Sequence, residues 1–75
     1  MNVKSKYLDY YQEWVNALEK ANNYIDMKDV CVKGAAFIGI LNELMDADMI
    51  CSSLALDYIT EVNQLTGIKY NQFLN

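Results

Sequence analysis

The sequence predicts an all-α fold, a small three-helix bundle with helices at about 4–24, 27–46 and 52–66 and a short docked C-terminal tail. Three observations predict it. The 75 residues contain no proline and only three glycines, so little interrupts long helices. Apolar residues recur at spacings of three and four in three successive segments. The stretches between those segments are short, which sets neighbouring helices antiparallel in an up-down-up order. Residues 1–75 make a single domain, and a hydrophobic content of 53% is enough to fold it.

In the first segment Tyr7, Tyr11, Trp14, Leu18, Ala21 and Ile25 fall on one stripe. Asp9, Gln12, Glu13, Asn16, Glu19, Lys20 and Asn23 oppose it. Tyr10, Ala17 and Tyr24 widen the apolar arc on one flank, and Leu8 and Val15 on the other. An arc this wide exceeds one packing interface. The cluster Tyr7, Tyr10, Tyr11, Trp14 and Tyr24 therefore has two readings, as the cap of a small core or as a binding face for a partner or a second copy.

The second segment starts at Asp26, an expected N-cap, with Asp29 three residues later near the positive helix end. Its apolar residues surround the axis almost completely, leaving a polar wedge of Asn42, Glu43 and Asp46. That marks it as the central helix. Gly34, Ala35, Ala36 and Gly39 form a strip of small residues within it. A glycine inside a helix costs about 1 kcal/mol relative to alanine. The strip implies a close approach, either by the first helix or by a second copy of the chain.

The third segment opens at a serine, Ser52 or Ser53, as N-cap, and Gly67 is expected to end it. Leu54, Ala55, Tyr58, Ile59, Val62 and Leu65 make one apolar stripe, with Leu56 on the other face. The tail keeps Ile68, Tyr70, Phe73 and Leu74 to dock against the bundle.

Charge divides the chain. Residues 1–33 balance five lysines against five carboxylates, whereas residues 34–75 set Glu43, Asp46, Asp48, Asp57 and Glu61 against Lys69 alone. Asp57 and Glu61 are a like-charge pair at spacing four, and Glu43 and Asp46 one at spacing three. These five carboxylates are either a solvated face that keeps a greasy domain in solution or a docking patch for a protein with a basic surface.

Several functions are poorly provided for. There is no histidine, so the usual general base and metal ligand is missing, and no serine can be activated by one. The acidic residues near 46–57 lack the spacing of a calcium loop, and Cys31 and Cys51 are too far apart in sequence for a zinc knuckle. The two thiols are expected to be reduced and packed as small apolar groups. Cys51 is near a helix N-terminus, but acids on both sides oppose its ionisation. No metal, cofactor or catalytic residue is expected. Six lysines, no arginine and a net charge of −4 argue against direct nucleic-acid binding. The longest apolar run, GAAFIGIL, is too short to span a bilayer, and no signal-peptide pattern occurs, so a cytoplasmic location is expected.

What remains is a non-enzymatic protein that acts by binding another protein. Asn, Lys, Ile, Tyr and Phe are abundant, as in AT-rich coding sequences. Size, acidity and that skew suit an inhibitor or regulator carried by a phage or other mobile element of a low-GC bacterium, for example one directed at a host defence nuclease. The alternative is a self-assembling module, a homodimer or higher oligomer, using the tyrosine face or the strip through Gly34, Ala35 and Gly39.

Overall fold

A computed structural model describes residues 3–74; Met1, Asn2 and Asn75, which belong to the N-terminal stretch and tail read above, lie outside the described residues. Three helices run in order, α1 (Val3–Lys20), α2 (Met27–Asp46) and α3 (Ser52–Leu74), with no strand among the described residues. The fold is a small all-α bundle in the expected up-down-up order. Tyr11 meets Phe37 and Trp14 meets Gly34, so α1 and α2 are antiparallel. Tyr7 meets Tyr58, Tyr11 meets Glu61 and Trp14 meets Thr66, so α1 and α3 are parallel.

The boundaries differ from expectation in three places. First, α1 stops at Lys20, four residues early. The Asp26 carboxylate accepts the Asn22 N–H at 2.9 Å, and the Asn23 side-chain oxygen accepts the Asp26 N–H at 3.0 Å. These short polar side chains offer the backbone an alternative to the helical ladder. Asp26 thereby closes the turn and makes no side-chain cap on α2; its own backbone is already helical. Tyr24 and Ile25 consequently sit in the turn, 54% and 77% exposed.

Second, α3 begins at Ser52, and Cys51 rather than a serine occupies the cap position before it: the Ala55 N–H bonds the Cys51 carbonyl. Third, α3 runs through Gly67 to Leu74, so the tail is helical. Phe73 and Tyr70 pack against the core, and the Lys69 ammonium donates to the Leu18 carbonyl in the last turn of α1. Those contacts outweigh the roughly 1 kcal/mol that one glycine takes from a helix. The lysine also sits where a helix favours a cation.

The α2–α3 turn has a specific geometry. Asp48 has φ 56°, in the left-handed region. The Asp48 N–H bonds the Met45 carbonyl and the Met49 N–H bonds the Leu44 carbonyl at 2.8 Å. This is a Schellman ending with aspartate where glycine is usual.

Trp14, Phe37, Met27, Leu41 and Val30 are the largest fully buried side chains. Around them Tyr11 lies 5.5 Å from Phe37 and 5.3 Å from Tyr58, edge to face, and Tyr7 lies 5.7 Å from Tyr58. Such pairs contribute about 0.5–1.5 kcal/mol each beyond the area they bury. They also span a gap, because α1 and α3 approach each other less closely than either approaches α2. The Cα envelope is accordingly flattened, 41 × 21 × 13 Å. α2 lies between the outer two helices and keeps one long face uncovered.

Two glycines that look alike in sequence have different surroundings. A Cβ on Gly34 would lie 3.1 Å from Val62 Cγ1 and 3.3 Å from Trp14 Cδ1, whereas one on Gly39 would meet nothing within 4 Å. Gly34→Val is therefore expected to destabilise the fold by about 1–3 kcal/mol in urea titration. Gly39→Ala is expected to stabilise it by about 0.5–1 kcal/mol. Equal effects at the two sites would contradict this packing. By the same method Asp48→Gly is expected to stabilise by about 1 kcal/mol, because it removes a side chain from the left-handed position.

Candidate functional site

The α2–α3 hairpin gathers acids at one end. Glu43 and Asp46 occupy the last turn of α2, Asp48 the connecting turn, and Asp57 the second turn of α3; all four are exposed. Glu43, Asp46 and Asp48 lie at the end of α2 where the helix dipole is negative, so their placement is unfavourable to α2 itself. Glu61 stands apart from them. It is half-buried and accepts the Tyr11 hydroxyl at 2.6 Å, which gives it a structural role between α3 and α1.

The aromatic residues divide similarly. Tyr7 and Trp14 are buried, and Trp14 donates its indole N–H to the Thr66 hydroxyl at 3.1 Å. Tyr10 and Tyr11 are half-buried against the core. Tyr24 is exposed in the α1–α2 turn, 5.7 Å from Tyr70. The wide arc of α1 is therefore used mainly inside the bundle, with one side on α2 and the other on α3. Sequence periodicity placed these residues on one helix; it carried no sign that Tyr58 and Phe37 would complete the cluster from two others.

Of the small-residue strip, only Gly34 is enclosed; Ala35, Ala36 and Gly39 face outward. Between α2 and α3 lies an open apolar groove of about 510 Å³, lined by Cys31, Gly34, Ala35, Ile38, Val62 and Gly67 among others. It adjoins a second hollow of about 340 Å³ through Cys31 and Tyr70, bordered by Tyr24, Ile25 and Lys28. Sequence reading missed this groove, since Gly67 was expected to end the helix that forms its wall.

Both cysteines are unpaired, as expected, but they are exposed and not packed in the core. Cys51 caps α3. The Ser53 hydroxyl lies 3.1 Å from its sulfur and, with the Ser53 and Leu54 backbone N–H groups, lowers the thiol below its ordinary range. These donors outweigh the opposing effect of burial, and the thiol shifts opposite to the sequence expectation. Tyrosine titration moves the other way. The bond to Glu61, then burial, pushes Tyr11 up to about 12, burial raises Tyr58, and a hydrogen bond with Tyr24 raises Tyr70.

Among the described residues no group of three or more His, Cys, Asp or Glu side chains is placed to hold a metal ion. No helix among them is long and apolar enough to cross a membrane. Comparison with known protein families, curated proteins and solved structures finds no match.

Tyr11 must lose its proton at a higher pH in the folded than in the unfolded chain. Its contribution is complete below about pH 10 and lost as pH rises towards 12. Circular dichroism is expected to show base unfolding in that window, and Tyr11→Phe to make the curve shallower there. An unchanged curve would remove the Tyr11–Glu61 bond from the account. Cys51 is expected to react with iodoacetamide near pH 8 faster than Cys31, and Ser53→Ala to reduce the difference. Equal rates for the two thiols would contradict the cap.

Proposed function

We propose that the chain works by binding another protein and not by catalysis. The observation that carries this reading is the amount of large apolar surface left in water after the core has closed. Ile25, Val32, Met49, Leu56, Ile68 and Leu74 are each more than half exposed in a chain of 75 residues. Single exposed apolar residues are ordinary, but this many, in a chain that also carries an open apolar groove, favour contact with another macromolecule.

The acidic end supplies orientation. Asp48 and Asp57, with Glu43 and Asp46, favour a partner with a basic surface, and their main effect is on encounter rate and register. Glu61 contributes less, because Tyr11 already holds its carboxylate. In its finer form the proposal is an inhibitor or regulator carried by a phage or similar element of a low-GC bacterium, supported by size, acidity and composition alone. A cytoplasmic setting belongs to that proposal.

Affinity capture from a low-GC bacterial lysate, at low and high salt, with mass-spectrometric identification, tests the reading. One stoichiometric protein, released at high salt, is expected. Asp48→Lys with Asp57→Lys is then expected to weaken its binding about tenfold or more. Undiminished affinity of that double variant would take the acidic end out of the mechanism.

A further inference from the structure

The outer face of α2 carries Lys28, Val32, Ala35, Ala36, Gly39, Glu43 and Asp46, all exposed. Between Lys28 and Glu43 the centre of this face carries no charge, Asp29 standing at its margin two turns before Ala36, and Val32 is 57% exposed at its centre line. The face is flat: its middle is built of alanine and glycine, and a Cβ on Gly39 would have open space around it. Charges set against the helix stand at both ends of it: Lys28 in the first turn, at the positive end of the dipole and beside the favourably placed Asp29, and Glu43 and Asp46 in the last turn, at the negative end.

We infer that this face is the interface of a homodimer in which α2 packs antiparallel on α2 of a second copy. A two-fold axis passing between Ala35 and Ala36 sets residues at matching heights along the helices. Lys28 of one copy then stands opposite Glu43 of the other, with Asp46 one turn beyond. Val32 stands over the open space at Gly39 of the other copy. Ala35 and Ala36 of the two copies meet at the centre, where small side chains permit close approach of the helix axes. Each feature that is unfavourable in one chain is relieved in the pair. The lysine meets two carboxylates, the carboxylates meet a cation at the negative helix end, and the glycine space is filled by valine. A parallel pairing does the reverse, setting Lys28 against Lys28 and Glu43 against Glu43. The charge pattern therefore selects both the occupant, a second copy, and its direction.

The test is the mass in solution, read by sedimentation velocity and by light scattering after size exclusion over a concentration series. The wild-type chain is expected to be a dimer that dissociates on dilution. Gly39→Leu is expected to be a monomer with wild-type helicity, since the site is open within one chain. Lys28→Glu and Glu43→Lys are each expected to weaken the dimer about tenfold, because each acts twice across the axis. The double exchange, Lys28→Glu with Glu43→Lys, is expected to restore most of that loss. A wild-type chain that stays monomeric at its highest soluble concentration would overturn the inference. So would a Gly39→Leu chain that dimerises as tightly as wild type. Failure of the double exchange to restore association would overturn the antiparallel register. Partner capture by the monomeric Gly39→Leu chain separates the two proposals, because a heterologous partner can bind with or without this dimer.

Discussion

Trp14 is the fully buried side chain that ties all three helices together. Its ring lies against Gly34 of α2, its N–H is accepted by Thr66 of α3, and its ring neighbours Tyr11 on its own helix. The indole fits only because position 34 lacks a Cβ. Its nitrogen can be buried only because Thr66 supplies an acceptor, without which a buried polar atom would cost about 1–3 kcal/mol. Residue 66 in turn is followed directly by Gly67, through which α3 continues without a break. So the extension of α3 through Gly67, the glycine at 34 and the tryptophan at 14 are one interdependent feature.

That feature also determines the shape. α1 and α3 are joined through aromatic rings and side-chain hydrogen bonds more than through close backbones, so α2 is flanked on two sides and left open on a third. A tighter triangular bundle would leave less of α2 in water. The exposed Val32 and the outward-facing Ala35, Ala36 and Gly39 follow from the same geometry that buries Trp14. Surface available for binding is thus a consequence of how the core is closed.

Much of this was legible in the sequence, and the limits are physical. The stripe of Tyr7, Trp14 and Ala21 on α1 and of Ala55 and Val62 on α3 identified buried positions, because helical periodicity is a local property. Long-range partners were not legible. Lys69 read as an isolated cation, yet it caps a carbonyl at Leu18, 51 residues away. Gly34 and Gly39 carry the same local signal, and only the neighbours brought by α1 and α3 distinguish an obligatory glycine from an optional one. Gly67 read as a helix stop because local propensity favours that, and tertiary contacts at Tyr70 and Phe73 reversed it. Asp48 read as one more carboxylate of an acidic patch. It also occupies a left-handed turn position, which composition cannot reveal. Cys31 and Cys51 read as core residues from the general habit of free cysteine, and a surface groove and a helix cap took them instead.

The charges separate into those the single chain uses and those it does not. Lys69 sits at the negative end of α1 and bonds its carbonyl, and Glu61 holds a phenol, so both have partners that explain them within one molecule. Lys28, Glu43 and Asp46 have the opposite character: each sits at the end of α2 where its sign is unfavourable. A small domain has little stability to spare, and charges placed against the dipole reduce it further unless something outside the chain compensates. The helix end that a carboxylate disfavours becomes favourable when a cation is brought to it. An antiparallel second copy of the same helix brings one to both ends at once. In the proposed pair Asp48 and Asp57 would lie outside the seam at its two far ends, exposed as they are in the single chain.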